Sequence, residues 1–135
     1  MEELRIEANT DKLDNVLNFI NRILETKDAS IKAQMQIQIA VEEIFVNIAN
    51  YAYAPGTGTA TIQVKHYVET NAVEICFIDE GKKYNPLEKP DPDITLSAEE
   101  REIGGLGIFM VKKSMDSMRY DYIDGKNVLT VLKHC

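Results

Sequence analysis

Glu43 and Asn47 stand four residues apart in the run 40–53, AVEEIFVNIANYAY, so on a helix their side chains reach one spot. E-x-x-x-N is ordinarily a solvated stripe, but such a stripe usually alternates lysine with glutamate. Here Ile37, Val41, Ile44, Phe45, Ile48 and Ala52 form a broad apolar face. Met35, Ile39, Val46 and Ala49 cover much of the rest, leaving a narrow polar stripe of Gln36, Glu43, Asn47 and Asn50. A carboxylate beside an amide oxygen with apolar borders suits a general base and a hard cation. Glu42 points to another side of the same helix.

Asp79-Glu80-Gly81 closes the strand-like run 73–79, VEICFID. An acid with glycine two residues later is a common turn. It also offers a carboxylate to an exocyclic amine, and a residue without Cβ against which a flat ring can lie. Gly104-Gly105-Leu106-Gly107 opens a helical run. Glycines there serve close packing or a hinge, and they also free aligned N–H groups for a phosphate. The spacing is neither a Walker A motif nor a dinucleotide fingerprint.

These residues need elements to hold them. Residues 3–8 alternate as a half-buried strand, and Asn9-Thr10-Asp11 supplies cap chemistry for a helix carrying Leu13, Val16, Leu17, Ile20, Ile23 and Leu24. Asp28-Ala29-Ser30 can cap a longer helix to about Tyr53, ended by Pro55-Gly56-Thr57-Gly58. Residues 60–68 and 72–79 read as a hairpin. From 80 to 103 the pattern stops, and three of the four prolines fall there, as in a lid or binding segment. A helix over 103–118 follows, with Ile108, Phe109, Val111 and Met115 inward. Residues 118–123 and 127–132 close the chain as a hairpin about Asp124-Gly125. The order β-α-α-β-β-loop-α-β-β predicts an α+β two-layer sandwich, with a mixed, mainly antiparallel sheet and helices on one face.

At 135 residues the length suits one domain, 1–135, burying roughly two-thirds of its extended surface without a disulfide or metal staple. Fifteen Lys+Arg against 22 Asp+Glu leave a net charge of −7, which repels a phosphate backbone and argues against nucleic acid as a partner. No apolar run approaches the roughly 20 residues that span a bilayer, and the acidic start lacks the regions of a signal peptide. Cys76 and Cys135 are expected to be separate thiols in a reducing cytoplasm. His66 and His134 stand alone, and with no HExxH or GxSxG motif a zinc enzyme and a serine hydrolase are excluded as readings.

Four of the seven glycines fall in the three sets, which occur in one order with a proline-rich segment between the second and third. That series, E-x-x-x-N on a helix, D-x-G after a strand, a lid, then G-x-G at a helix start, resembles the Bergerat-fold (GHKL) ATP-binding domains. VEEIFVNIANYAY and GGLGIFMVKK, with the N-terminal β-α unit, look like the anti-sigma-factor serine kinases over about residues 4–133.

The resemblance implies an ATP- and Mg²⁺-dependent protein serine/threonine kinase with its lid at about 82–103. In its terms Asn47 binds Mg²⁺, Glu43 is the base for a serine hydroxyl, Asp79 receives the adenine amine, and Gly81 lies against the base. Gly105 and Gly107, with Leu106 between them, free the helix start for the phosphates, and Gly104 permits lid movement. Arg101 is placed to neutralise phosphate charge. A final-strand contact to adenine falls to Thr130 or Asn127. The implied partners are an anti-anti-sigma antagonist protein, phosphorylated on serine, and a sigma factor, with the kinase a cytoplasmic homodimer. The alternative is an ATP-binding module that sequesters a partner without transferring phosphate. Two places depart from the family pattern: Tyr51 stands where many relatives carry histidine, and EGKKYNP replaces the more glycine-rich D-x-G-x-G.

Overall fold

Strand alternation decides which residues can share a core, and the register is now explicit in a computed structural model that describes residues 1–88 and 105–135, the first two of the second stretch by backbone alone. The strands are β1 (Glu2–Glu7), β2 (Thr59–Tyr67), β3 (Ala72–Asp79), β4 (Ser117–Ile123) and β5 (Lys126–His134). They form one sheet in the order β1-β2-β3-β5-β4, and all four pairings are antiparallel. One row across it reads Leu4, Ile62, Phe77, Leu129 and Tyr120. The next reads Ile6, Ala60, Asp79, Asn127 and Tyr122. An apolar face therefore ends in a polar pair, Asp79 opposite Asn127.

The predicted α+β sandwich is what forms, though its sheet is antiparallel at every pairing and not mixed, since no strand of it among the described residues pairs parallel to a neighbour. Helices α1 (Leu13–Glu25), α2 (Ile31–Asn47) and α3 (Gly105–Ser114) supply the second layer, α1 packing on α2 and α2 on α3. Val16, Ile20 and Leu24 of α1 and Ile37, Val41, Ile44 and Phe45 of α2 are buried in one cluster with Ile62, Ile75, Phe77 and Val131. Burying side chains of this size contributes roughly 1.5–3 kcal/mol each. Ser30 caps α2 by accepting the Ala33 N–H at 3.0 Å. Asn9 caps the short 3₁₀ turn before α1, accepting the Asp11 N–H at 2.8 Å.

Two boundaries differ from the sequence expectation. The helix after the glycines stops at Ser114 instead of running to Met118, because the Asp116 N–H already bonds the Leu132 carbonyl and Ser117 pairs with Leu132. The long helix is α-helical only to Asn47 and continues as one π-helical turn, Ile48–Ala52. Strand β5 lies inside the sheet and β4 at its edge, where Arg119 and Asp121 remain in water and discourage edge pairing. Asp124-Gly125 turns between them with positive φ at both residues, as a two-residue hairpin loop requires. No helix among the described residues is long and apolar enough to cross a membrane.

Asp116 ties the last strand down. Its Oδ2 accepts the His134 backbone N–H at 2.6 Å and lies 3.1 Å from His134 Nδ1. Chiefly through that backbone N–H, the carboxyl is held below its ordinary value of 3.8. A depressed folded-state value stabilises the fold above the unfolded value, and the gain is lost as pH falls through the folded one. Asp116→Asn is therefore expected to lower the urea midpoint at pH 6, with the gap to wild type narrowing below about pH 3. A gap independent of pH would show that the carboxylate charge has no part in it.

Candidate functional site

The three sequence sets meet at the end of α2. The π-helical turn after Asn47 leaves the Ala52 carbonyl open, and it accepts the Lys82 N–H at 2.9 Å. Gly81 approaches so closely that a Cβ there would fall on the Ala52 backbone. Tyr53 closes the same junction, its hydroxyl donating to the Thr59 carbonyl at 2.6 Å and accepting the Glu80 N–H at 2.8 Å. Burial raises the Tyr53 phenol above its ordinary value, with the charges of Asp79 and Glu80 adding to the rise, so it stays a donor at neutral pH. On the other side, a Cβ at Gly107 would strike Oε2 of Glu43. Glu43, and not Glu42, is thus the acid against the first turn of α3.

A cavity of about 630 Å³ opens beside this junction, within the range usual for small-molecule sites. Ile44, Ile48, Phe77 and Leu129 give it apolar walls, Asn47, Asp79 and Asn127 give it polar groups, and Lys82, Lys83 and Tyr84 also line it. Asp79 is only 6% exposed. Its Oδ1 accepts the Gly81 N–H and Asn127 Nδ2, each at 2.9 Å. Among the described residues no donor reaches Oδ2. A buried acceptor without a partner is costly, and a ligand with an N–H donor would satisfy it. The half-buried Asn47 side chain likewise has no hydrogen bond among the described residues.

Asn47 and Asp79 therefore share one cavity, while Glu43 sits at the α2–α3 contact and Gly81 packs on the Ala52 backbone. Gly105, Leu106 and Gly107 begin α3. Arg101, Gly104 and the part of the expected lid from 89 to 103 lie outside the described residues. Thr130 does not line the cavity. Its Oγ1 lies 3.3 Å from Cys76 Sγ, and both residues belong to the sheet face opposite Leu129 and Asn127. The final-strand residue that reaches the cavity with a polar group is Asn127, the other residue considered for that contact.

Residues 6–133 match the histidine kinase-like ATPase domain. The chain belongs to that family. It is 25% identical over 132 residues to the serine/threonine-protein kinase BtrW of Bordetella bronchiseptica, covering 98% of this chain and 91% of that protein. It is 29% identical over 102 residues to the anti-sigma F factor of a Thermoanaerobacter species, with 76% and 70% covered. With the serine-protein kinase RsbW of Listeria monocytogenes it shares 27% identity over 104 residues, 74% and 66% of the two chains. These relatives agree with the resemblance to anti-sigma serine kinases read from the motifs, and an ATPase-type domain implies ATP binding.

Sequence reasoning missed most of the aromatic lining of this cavity. Tyr51, Tyr84 and Tyr120 all line the cavity, and Tyr120 donates its hydroxyl to Asn127 Oδ1. Tyr51 was legible as a departure from the family pattern. Tyr120 was not, since its place depends on the β4–β5 register and on β5 lying beside β3.

The two close-packed glycines should respond differently to a methyl group. Gly81→Ala meets backbone that cannot turn aside and is expected to cost about 1–3 kcal/mol. Gly107→Ala meets the end of a flexible glutamate and gains up to about 1 kcal/mol of helix propensity, so its net cost should be small. Urea unfolding compares them, and equal losses would contradict the difference in packing.

Proposed function

We propose that the protein is an ATP-dependent serine/threonine protein kinase of the anti-sigma type, phosphorylating an antagonist protein on serine. The observation that carries this reading is the convergence of all three motifs on one junction, with Glu43 against the first turn of α3 and Asn47 and Asp79 in one cavity. Oδ2 of Asp79, which no donor among the described residues reaches, suits the exocyclic amine of adenine, between apolar walls that suit its ring. The opening turn of α3 suits the phosphates, because its first N–H groups have no partner within the helix.

The donor set fits Mg²⁺ in a particular way. Among the described residues no three His, Cys, Asp or Glu side chains cluster as a metal site. Asn47 would offer its amide oxygen, the remaining positions coming from phosphate and water, as this cation usually prefers. Bound there, Mg²⁺ would neutralise phosphate charge.

The transfer itself asks little covalent chemistry of the chain. A serine hydroxyl oxygen of the antagonist forms the new bond to the γ-phosphorus, and the bond to the β–γ bridging oxygen breaks, leaving ADP. The hydroxyl proton passes to the Glu43 carboxylate, which is exposed and so open to a protein substrate. The partners that go with this reading are the antagonist, a sigma factor bound in its stead and, as the family resemblance implies, a second copy of the chain. The names of the relatives support it.

Mg-ATP at about 100 times Kd should stabilise wild type by about 2.7 kcal/mol, a Tm rise on the order of 5–10 °C. Asn47→Ala should lose the Mg²⁺-dependent part of that rise. Glu43→Gln should keep it and lose phosphorylation of a serine-bearing antagonist domain from the same genome by about 10²–10⁴-fold. Phosphate-affinity electrophoresis reads the second. Transfer by Glu43→Gln at the wild-type rate would remove Glu43 as base, and binding without transfer by wild type would leave a sequestering module.

A further inference from the structure

Asn127 is 6% exposed, and every hydrogen-bonding position of its amide is used. Nδ2 donates to Asp79 Oδ1 at 2.9 Å and to the Lys82 carbonyl at 2.8 Å. Oδ1 accepts the Tyr84 N–H at 3.0 Å and the Tyr120 hydroxyl. The Lys82 carbonyl can only accept and the Tyr84 N–H can only donate, so one orientation of the amide satisfies them all. Burial raises the Tyr120 phenol above its ordinary value, with the Asp79 charge adding to it, and keeps it a donor. A primary amide has two N–H groups and two lone pairs. Nothing is left with which Asn127 could touch a ligand, although it lines the cavity and lies directly opposite Asp79.

We infer that Asn127, backed by Tyr120, is a positioning residue for base recognition. It holds Asp79 through Oδ1 so that Oδ2 alone meets the ligand, and thereby selects a purine with an exocyclic amine over one with a carbonyl at that place. The inference rests on the reading above, that the cavity takes the base of ATP. Without Asn127 the carboxylate keeps, among the described residues, only the Gly81 N–H and is free to rotate toward water or toward a different donor. A fixed carboxylate oxygen rewards an amine and repels a carbonyl; a loose one does neither strongly. The same amide anchors Lys82 and Tyr84 where the chain leaves β3, so its loss also loosens a wall of the cavity. A fall in affinity alone would therefore not distinguish positioning from support, whereas a change in the preference between two bases would.

The test is calorimetric titration of the full chain with Mg-ATP and with Mg-ITP, whose base carries a carbonyl in place of the amine. Wild type, Asn127→Ser and Tyr120→Phe are compared, with thermal unfolding run on each. Wild type is expected to prefer ATP by about tenfold or more, the value of one hydrogen bond to a charged acceptor. Asn127→Ser should bring the ratio to within about threefold, and Tyr120→Phe should erode it by about two- to threefold. If Asn127→Ser does not fold, Tyr120→Phe alone decides, since it removes one donor and leaves the amide in place. Variants that bind both nucleotides more weakly at an unchanged ratio would overturn the inference and leave Asn127 a supporting residue. A wild type that binds the two equally would overturn base recognition by Asp79 itself, and the inference with it.

Discussion

A carboxylate 6% exposed beside an apolar cavity has to be met by donors, because burying an unpaired charge costs several kcal/mol. Asp79 ends β3 in just that position, and much of the nearby structure follows from meeting it. One donor is local, the Gly81 N–H two residues on, and fixes the turn out of the strand. The other comes from Asn127, forty-eight residues later, and is available only because β5 lies between β3 and β4 in a register that sets the two residues face to face. The sheet order and the polarity of the cavity are thus one constraint. A register slip of one residue would turn Asn127 to the other face and bring Val128 opposite the carboxylate.

The second constraint is the end of α2. A helix that simply stopped at Asn47 would leave its last carbonyls to water. The π-helical turn carries the chain to Ala52, whose carbonyl meets the Lys82 N–H, and Tyr53 bridges the starts of two other segments through Thr59 and Glu80. The Ala52 backbone leaves no room for a side chain at Gly81. The glycine's need is therefore structural at the junction itself, and the cavity benefits indirectly, through the placement of Asp79. Gly107 makes the corresponding approach to Glu43, so the turn after β3 and the first turn of α3 each lie against the α2 segment where a methyl group is missing.

Fold class and element order were legible because hydrophobic period and turn chemistry are local. Ser30, Asn9 and Asp124-Gly125 cap and turn as their types imply. The three motifs were legible because glycine, acid and amide at fixed spacing admit few functions in combination. What was not legible depends on long-range register. Thr130 and Asn127 both sit in an apolar strand, and only the pairing of β3 with β5 shows that Asn127 faces the cavity while Thr130 faces Cys76. The π-helical turn has no sequence period of its own. The overlong expectation for the third helix arose where the apolar residues Met115 and Met118 continue a helical spacing by chance, until the backbone of Asp116 joins the sheet.

Net charge is a poor guide to what the cavity will accept. The chain carries −7 overall, which disfavours approach of a polyanion at long range, yet that effect is screened within about 8 Å at physiological ionic strength. Inside that distance the local groups decide. Lys82 and Lys83 line the cavity, and Lys83 Nζ rests 5.0 Å from the centre of the Tyr122 ring, a contact that steadies the lysine without neutralising it. Nearby, Lys126 Nζ lies 3.9 Å from Glu80 Oε1 across an exposed pair that water largely screens. The cations in the EGKKYNP segment thus stand where the family pattern is richer in glycine, exchanging backbone freedom for positive charge beside the cavity. A segment built this way favours an anionic ligand by local attraction, beside a carboxylate oxygen of Asp79 that no donor among the described residues reaches.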